Sequence, residues 1–159
     1  MKLIMEPLAA EPFAPFGEVL TIPEPTGHTH FDRALSNLRP SARPSLALSR
    51  KEDLSSLPLV ARQMERHEFS SQSFVPIEAG RWLIVVAPHA TGGGPEMRGA
   101  RVFIAGPRQG VTYGSNVWHH PLTILDRPAA FAAYMWLEGG KGATRSFFTL
   151  PAPATIAVS

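Results

Sequence analysis

The stretch "GVTYGSNVWHHPLTIL" (residues 110–125) carries the clearest indication of the fold. Two runs of apolar and β-favouring residues flank a Gly-Ser-Asn turn, and a proline interrupts the second run. This pattern predicts short strands and not a helix. Adjacent side chains on a strand face opposite sides of the sheet. The alternation therefore places Val117 and His119 on one face, toward a cavity, and Trp118 and His120 on the other.

Short strands are predicted along most of the chain, because sixteen prolines and thirteen glycines interrupt it repeatedly. In residues 45–50, Leu46 and Leu48 alternate with polar neighbours, which is typical of a half-buried strand. One helical turn is predicted before Gly17 and another after Pro95. Residues 23–44 are predicted to form a long loop, and residues 151–159 a loose tail. The other predicted strands are 17–22, 61–69, 71–77, 81–88, 100–106, 110–113, 118–125, 129–138 and 145–150.

This set of elements predicts an all-β fold of the sandwich, jelly-roll or small-barrel type with few short helical turns. A closed barrel of this size can enclose one small ligand. No linker or internal repeat divides the sequence, so a single domain is expected over residues 1–159.

Composition excludes several classes of function. The net charge is +2 and no segment concentrates Lys and Arg with interleaved aromatic residues, so no nucleic-acid partner is expected. Cysteine is absent, which excludes disulfides, thiolate catalysis and zinc-thiolate sites. No run of eighteen apolar residues occurs, so no membrane association is expected and the sequence indicates a cytoplasmic protein.

The stretch "MERHEFSSQSFVPIEAG" (64–80) carries the first candidate site residues. On a strand, Glu65 and His67 share one face, and Gln72 follows after a turn. The spacing resembles the first motif of the cupin barrels, with Glu65 at the place of a histidine and Gln72 at the place of a glutamate. A lone histidine such as His119 ends the second cupin motif. The remaining histidines, His28, His30 and His89, lie in Pro- or Gly-rich segments typical of solvated loops.

Three segments together point to one family: "FAPFGEVL", "MERHEFSSQSFVPI" and "RVFIAGPRQGVTYGSNVWHHPL". From about Phe13 to Trp136 the chain resembles the ureidoglycolate lyases. The resemblance implies a cupin-like (jelly-roll) β-barrel that pairs into homodimers, associates with nickel, and converts (S)-ureidoglycolate to glyoxylate and urea in allantoin degradation. The family pattern W-H-x-P carries over to His119 and not to His120. The segment "HTHFDRALSNLRP" (28–40) departs from the family pattern, which leaves substrate preference open.

Elimination of urea needs a base, an acid and a cation for the carboxylate. His119 and His67 are the expected acid and base, since imidazole titrates near neutral pH. Arg50 is the expected carboxylate ligand, and Gln72 and Tyr113 are the expected hydrogen-bonding partners. If a divalent metal binds, the expected ligands are His67, Gln72 and His119, with Glu65 as a fourth; a metal-free mechanism stays open.

Two other functions remain open from the sequence. One is a non-catalytic cupin that binds a small carboxylate or sugar acid, and the other is an enzyme acting on a related ureido or hydroxy acid.

For assembly, the predicted strand 129–138 has large side chains on both faces, Phe131 and Met135 on one and Tyr134 and Trp136 on the other. One face of this strand needs a cover, and a homodimer supplies it.

Overall fold

A computed structural model describes residues 1–139 and 145–158. Within these residues strands dominate, and the only helical elements are α1 (Ala10–Phe13) and a 3₁₀ turn at Met97–Gly99. None of the described helices is long or apolar enough to span a bilayer. The strands are β1 (Lys2–Pro7), β2 (Gly17–Thr21), β3 (Arg43–Lys51), β4 (Leu59–Arg66), β5 (Gln72–Glu78), β6 (Trp82–Ala87), β7 (Arg101–Ala105), β8 (Gln109–Tyr113), β9 (Trp118–His119), β10 (Thr123–Ile124), β11 (Ala129–Leu137) and β12 (Ser146–Ala157).

The strands form two sheets, one of which closes on itself. The larger sheet has the order β10-β6-β7-β1-β12-β4-β9, and β9 also pairs with β6. The strands β6, β7, β1, β12, β4 and β9 therefore complete a ring. The second sheet has the order β2-β8-β5-β11-β3 and is antiparallel throughout. The predicted all-β, cupin-like barrel with few helical turns is confirmed.

Two hydrophobic cores fill this architecture, and β6 contributes to both. Leu83, Val85 and Ala87 pack with residues from the other ring strands, so they line the inside of the ring. The alternate residues Trp82, Ile84 and Val86 pack against residues of the second sheet. Both faces of β6 are thus buried, which explains its uninterrupted apolar sequence.

Two expectations about local structure were wrong. Residues 151–157 are not a loose tail but the second half of β12, which pairs with both β1 and β4. Pro151 and Pro153 are accommodated because the β12–β4 register shifts between Thr149 and Ala154. Leu46 and Leu48 are not half-buried; they are 70% and 74% exposed on the outer face of the second sheet.

Residues 110–125 form strands, but these are shorter than the alternation of their side chains predicts. β8 pairs with β2 and β5 in the second sheet, and β9 then crosses to the ring. Pro121 separates β9 from β10, so residues 118–125 make two strands of two residues each. This crossover brings His119 next to β4, whereas the backbone N–H of His120 donates to Val85 on β6.

Candidate active site

Three buried side chains meet outside the ring, where it faces the second sheet. Glu65 on β4 lies directly opposite His119 on β9, and His67 follows at the end of β4. One ligand atom from each of these three residues lies within 4.8 Å of the other two, and all three side chains are buried. Their chain neighbours Met64 and Trp118 point into the ring instead. The site therefore lies between the two sheets and not inside the closed ring.

The orientation of the His119 ring exposes one nitrogen to the cluster. Its Nδ1 lies 3.1 Å from the carbonyl oxygen of Val117, and a carbonyl can only accept, so Nδ1 carries the hydrogen. In the neutral ring, Nε2 then carries a lone pair and no hydrogen. It is buried without an aligned hydrogen bond among the described residues and lies 3.5 Å from Oε1 of Glu65. Two acceptors face one another there unless a proton or a cation lies between them.

The charges around Glu65 favour its ionised form. Burial raises the pKa of the carboxyl group, but contact with His119 and the electrostatic influence of His119, Arg145 and His67 outweigh it and hold the pKa below its usual value. Nε of Arg145 lies 3.6 Å from Oε2 of Glu65. A buried carboxylate thus stands beside two imidazoles and one guanidinium.

The second sheet supplies the opposite wall. Gln72 on β5 lies opposite Tyr113 on β8, and the Tyr113 ring stacks on His119 with 4.2 Å between centroids and 6° between planes. Burial and the negative charge of Glu65 raise the pKa of Tyr113, so its hydroxyl stays neutral. Oε1 of Gln72 is buried and has no hydrogen bond among the described residues. The structure therefore gathers Gln72, Tyr113, His67 and His119 as the sequence predicts.

Arg50 does not join this group. It is exposed on β3 and contacts Glu52 and Glu78. It pairs with Ala130 of β11, whereas Gln72 pairs with Met135 of the same strand. Five residues of strand separate these points, roughly 17 Å at about 3.4 Å per residue.

The other histidines lie apart from the cluster. His120 donates from Nδ1 to Oγ1 of Thr123 at 2.9 Å, and burial lowers its pKa. His28 and His30 are exposed in the loop before β3, as expected of solvated residues, with their rings 5.3 Å apart. His89 follows β6 and accepts a hydrogen bond from Nε1 of Trp118 at 3.0 Å.

Hydrogen bonds of Asn116, a residue that the sequence alone does not predict for the site, connect the segments that carry His67 and His119. Asn116 adopts a positive φ of 67° and donates its backbone N–H to the carbonyl oxygen of His67 at 2.8 Å. Its side-chain oxygen accepts from Nη1 of Arg66, whose guanidinium lies over the Trp118 ring. The Gly-Ser-Asn turn signals this position, since asparagine tolerates the left-handed region.

The segment that departs from the family pattern borders the site. Ser36 and Ser71, the residue before Gln72, exchange backbone and side-chain hydrogen bonds at 2.9 Å. Oγ of Ser115 also donates to Oγ of Ser36 at 2.9 Å. Residues 34–38 thus buttress the turns that lead into Gln72 and into His119.

The Glu65–His67–His119 group suits a divalent metal ion. Two imidazoles and one carboxylate form the nitrogen and oxygen ligand set that borderline divalent ions prefer. The Nε2 lone pair of His119 opposite the Glu65 carboxylate is the arrangement that a cation would stabilise. Gln72 borders the group, although its amide is a weaker ligand than the Glu65 carboxylate.

Comparison with known proteins identifies the family of this chain. The family model described as ureidoglycolate lyase matches residues 1–148. The chain belongs to the ureidoglycolate lyase family. A ureidoglycolate lyase of Pseudomonas syringae pv. syringae is 38% identical over 138 residues, covering 79% of this chain and 78% of that protein. A ureidoglycolate lyase of Pseudomonas putida is 33% identical over 159 residues, covering 92% of each.

A solved structure supports the fold independently of close sequence similarity. The dTDP sugar isomerase of Desulfovibrio desulfuricans G20 aligns with a TM-score of 0.52 at 16% identity. The alignment covers 86% of this chain and 84% of that one. This member of the ureidoglycolate lyase family therefore shares its double-sheet β-fold with a distant isomerase.

Proposed function

We propose that the protein is a ureidoglycolate lyase that splits (S)-ureidoglycolate into glyoxylate and urea. The observation that carries the proposal is the buried Glu65–His67–His119 group, walled by Gln72 and Tyr113, in a member of this family. A buried carboxylate between two imidazoles is suited to proton transfer in both directions. A non-catalytic binding role has no comparable support, because the curated relatives are named as lyases.

The proposed reaction moves one proton from oxygen to nitrogen. Nε2 of His119 takes the hydroxyl proton of the substrate while the carbonyl of glyoxylate forms. The carbon–nitrogen bond breaks with its electron pair on nitrogen, and His67 protonates that nitrogen as urea leaves. The proton held by His119 then passes to His67 within the buried group, which restores both rings for the next turnover. The ionised Glu65 stabilises the imidazolium that forms. The buried Oε1 of Gln72 accepts from the urea N–H groups, and the neutral Tyr113 hydroxyl donates to a substrate oxygen.

A direct assay tests the activity. Purified protein is incubated with racemic ureidoglycolate, and glyoxylate and urea are followed separately. We expect both products in equal amounts, well above the spontaneous rate, with about half of the racemate consumed. Product rates equal to the spontaneous decay would refute the proposal.

We further propose that the Glu65–His67–His119 group takes nickel or a similar divalent ion with partial occupancy. A bound ion would supply Lewis acidity toward the substrate oxygens. Metal binding and proton transfer compete for the same imidazole nitrogens, so the two roles exclude one another. Elemental analysis, with activity measured before and after a chelator, separates them. Full activity at negligible metal content would leave His119 and His67 as plain acid and base.

A related ureido or hydroxy acid is the second candidate substrate. The observation that favours it is the contact of Ser36 with Ser71 and Ser115, because this part of the divergent segment supports the turns next to Gln72 and His119. A panel of hydroxy acids with altered ureido groups, compared by kcat/KM, distinguishes the candidates. A related acid preferred over ureidoglycolate by tenfold or more, about 1.4 kcal/mol, would make that acid the substrate.

For assembly, we propose a homodimer joined through the outer face of the second sheet. Leu48, Ala132 and Val75 lie side by side across β3, β11 and β5, and Leu46 and Ile77 extend this row. Contiguous exposed apolar side chains of this kind are typical of interaction surfaces. β3 is also an edge strand, and a second copy of the same face can cover it.

Leu48→Glu tests the dimer, and Leu54→Glu is its matched control. Both leucines are exposed, but Leu54 lies in the loop before β4. Light scattering at micromolar concentration should give a dimer for the wild type and the control and a monomer for Leu48→Glu. A monomeric wild type would refute the proposal.

Within the cell we assign the enzyme to the cytoplasm and to allantoin degradation, the route that the family resemblance implies.

A further inference from the structure

We propose that Arg145, with Phe147 beside it, is the anchor for the substrate carboxylate. This inference rests on the proposed function, which requires a cation next to the acid and base. Arg145 precedes β12 and lies at the exposed side of the Glu65–His67–His119 group. It thus takes the place that the sequence alone suggests for Arg50.

The register of β12 and β4 places Arg145 and Phe147 in line with the site. Phe147 lies directly opposite Glu65, and Ser146 lies opposite Arg66. Arg145 and His67 each lie one residue beyond this last pair, at the same end of the two strands. Residues two apart on a strand share a face, so Arg145 and Phe147 extend the row formed by Glu65 and His67.

The Arg145 side chain remains accessible while the residues behind it are buried. Its side chain is 45% exposed, and Phe147 is 53% exposed. The guanidinium lies 5.5 Å from the centroid of the Phe147 ring, which holds it at the rim by a cation–π contact. The exposed guanidinium thus lies between solvent and the buried carboxylate of Glu65.

The contact with Glu65 involves Nε of the Arg145 guanidinium, and no hydrogen bond of its two Nη nitrogens to the described residues is seen. Nε approaches Oε2 of Glu65 at 3.6 Å, which is longer than a hydrogen bond. Arginine binds carboxylates best through two parallel N–H···O bonds from its fork. The two Nη nitrogens of Arg145 provide this geometry for the substrate while Nε stays beside Glu65.

The other arginines near the site, Arg66 and Arg39, bind other groups of the protein. Arg66 contacts Asn116, His89 and Glu68. Arg39 donates to the carbonyl oxygen of Trp136 and pairs with Glu138. Arg145 is also the arginine whose charge acts on Glu65.

Steady-state kinetics of Arg145→Gln, Arg145→Lys, Arg50→Gln and Arg108→Gln test the anchor. Arg108 is the matched control, because it is an exposed arginine paired with one glutamate, Glu24. For Arg145→Gln we expect KM to rise about 10- to 100-fold, as for a lost charged hydrogen-bonding pair, with kcat within about threefold. Arg145→Lys should lie between this variant and the wild type, and the other two variants within about twofold of the wild type.

Two kinetic results would overturn the anchor. If Arg145→Gln lowers kcat and shifts the pH profile at unchanged KM, Arg145 serves only as a counter-ion for Glu65. If Arg50→Gln raises KM while Arg145→Gln does not, Arg50 is the anchor.

Calorimetric binding of glyoxylate separates this inference from the proposed function, because glyoxylate retains the carboxylate and needs no turnover. Binding that is lost in Arg145→Gln and kept in Arg108→Gln supports the anchor even if wild-type protein does not turn over ureidoglycolate. Equal binding by all variants, or no binding of millimolar glyoxylate by the wild type, would overturn it.

Discussion

His119→Ala and His120→Ala should separate chemistry from stability at two adjacent positions. His119 is buried, stacked on Tyr113, and directs Nε2 at Glu65, so its removal deletes the proposed base. We expect turnover to fall by about 100- to 10,000-fold, the usual contribution of a positioned acid or base. Loss of the buried ring should also lower the free energy of unfolding by roughly 2–4 kcal/mol, as for other large buried side chains.

His120→Ala should behave differently, because its imidazole stabilises the turn around Pro121. Nδ1 of His120 donates to Oγ1 of Thr123 at 2.9 Å, whereas Nε2 of His119 lies beside Glu65. We expect turnover within about tenfold of the wild type. The free energy of unfolding should fall by about 1 kcal/mol, the typical contribution of one hydrogen bond.

A third variant, His119→Asn, distinguishes loss of catalysis from loss of folding. The amide of His119→Asn can still donate to the carbonyl oxygen of Val117, but it has no atom at the position of Nε2. It should therefore lose as much turnover as His119→Ala while retaining more stability. Urea denaturation establishes folding before each glyoxylate assay. A folded His120→Ala enzyme without activity, beside an active His119→Ala enzyme, would refute the assignment of His119 to the site.

Two further predictions concern stability, and urea denaturation measures both. Asn116→Ala should destabilise by about 1–2 kcal/mol more than Asn116→Gly, because only alanine is strained at a positive φ. Both variants remove the Asn116 acceptor of Arg66 equally, so equal losses would contradict the strain argument. Contacts with the Arg81 side chain and backbone lower the pKa of Asp126 from 3.8 to about 2. Because the folded pKa is the lower one, the stabilisation is present above about pH 4 and is lost as the pH falls toward 2. The difference in stability between wild type and Asp126→Asn should shrink over that range, and a constant difference would contradict this linkage.

The sequence by itself determined the fold class and predicted most residues of the candidate site. Frequent prolines and glycines limit the strands to short lengths, and period-two alternation separates His119 from His120. The spacing of Glu65, His67 and Gln72 along the chain is a local property, and it predicts that they lie close together. The W-H-x-P resemblance identified the histidine that the structure places beside Glu65.

Only the tertiary structure decided where these residues meet and what surrounds them. Alternation shows which side chains share a face, but closure of the ring decides which face is inside, and the site lies outside it. Leu46 and Leu48 have the pattern of a buried strand, but no layer of the described chain covers their face of the second sheet. The predicted loose tail forms half of β12 because its two neighbouring strands come from distant parts of the chain. Arg50 and Arg145 look alike in the sequence, and only the pairing of β12 with β4 brings Arg145 to Glu65, because long-range strand register is set by the packing of whole sheets.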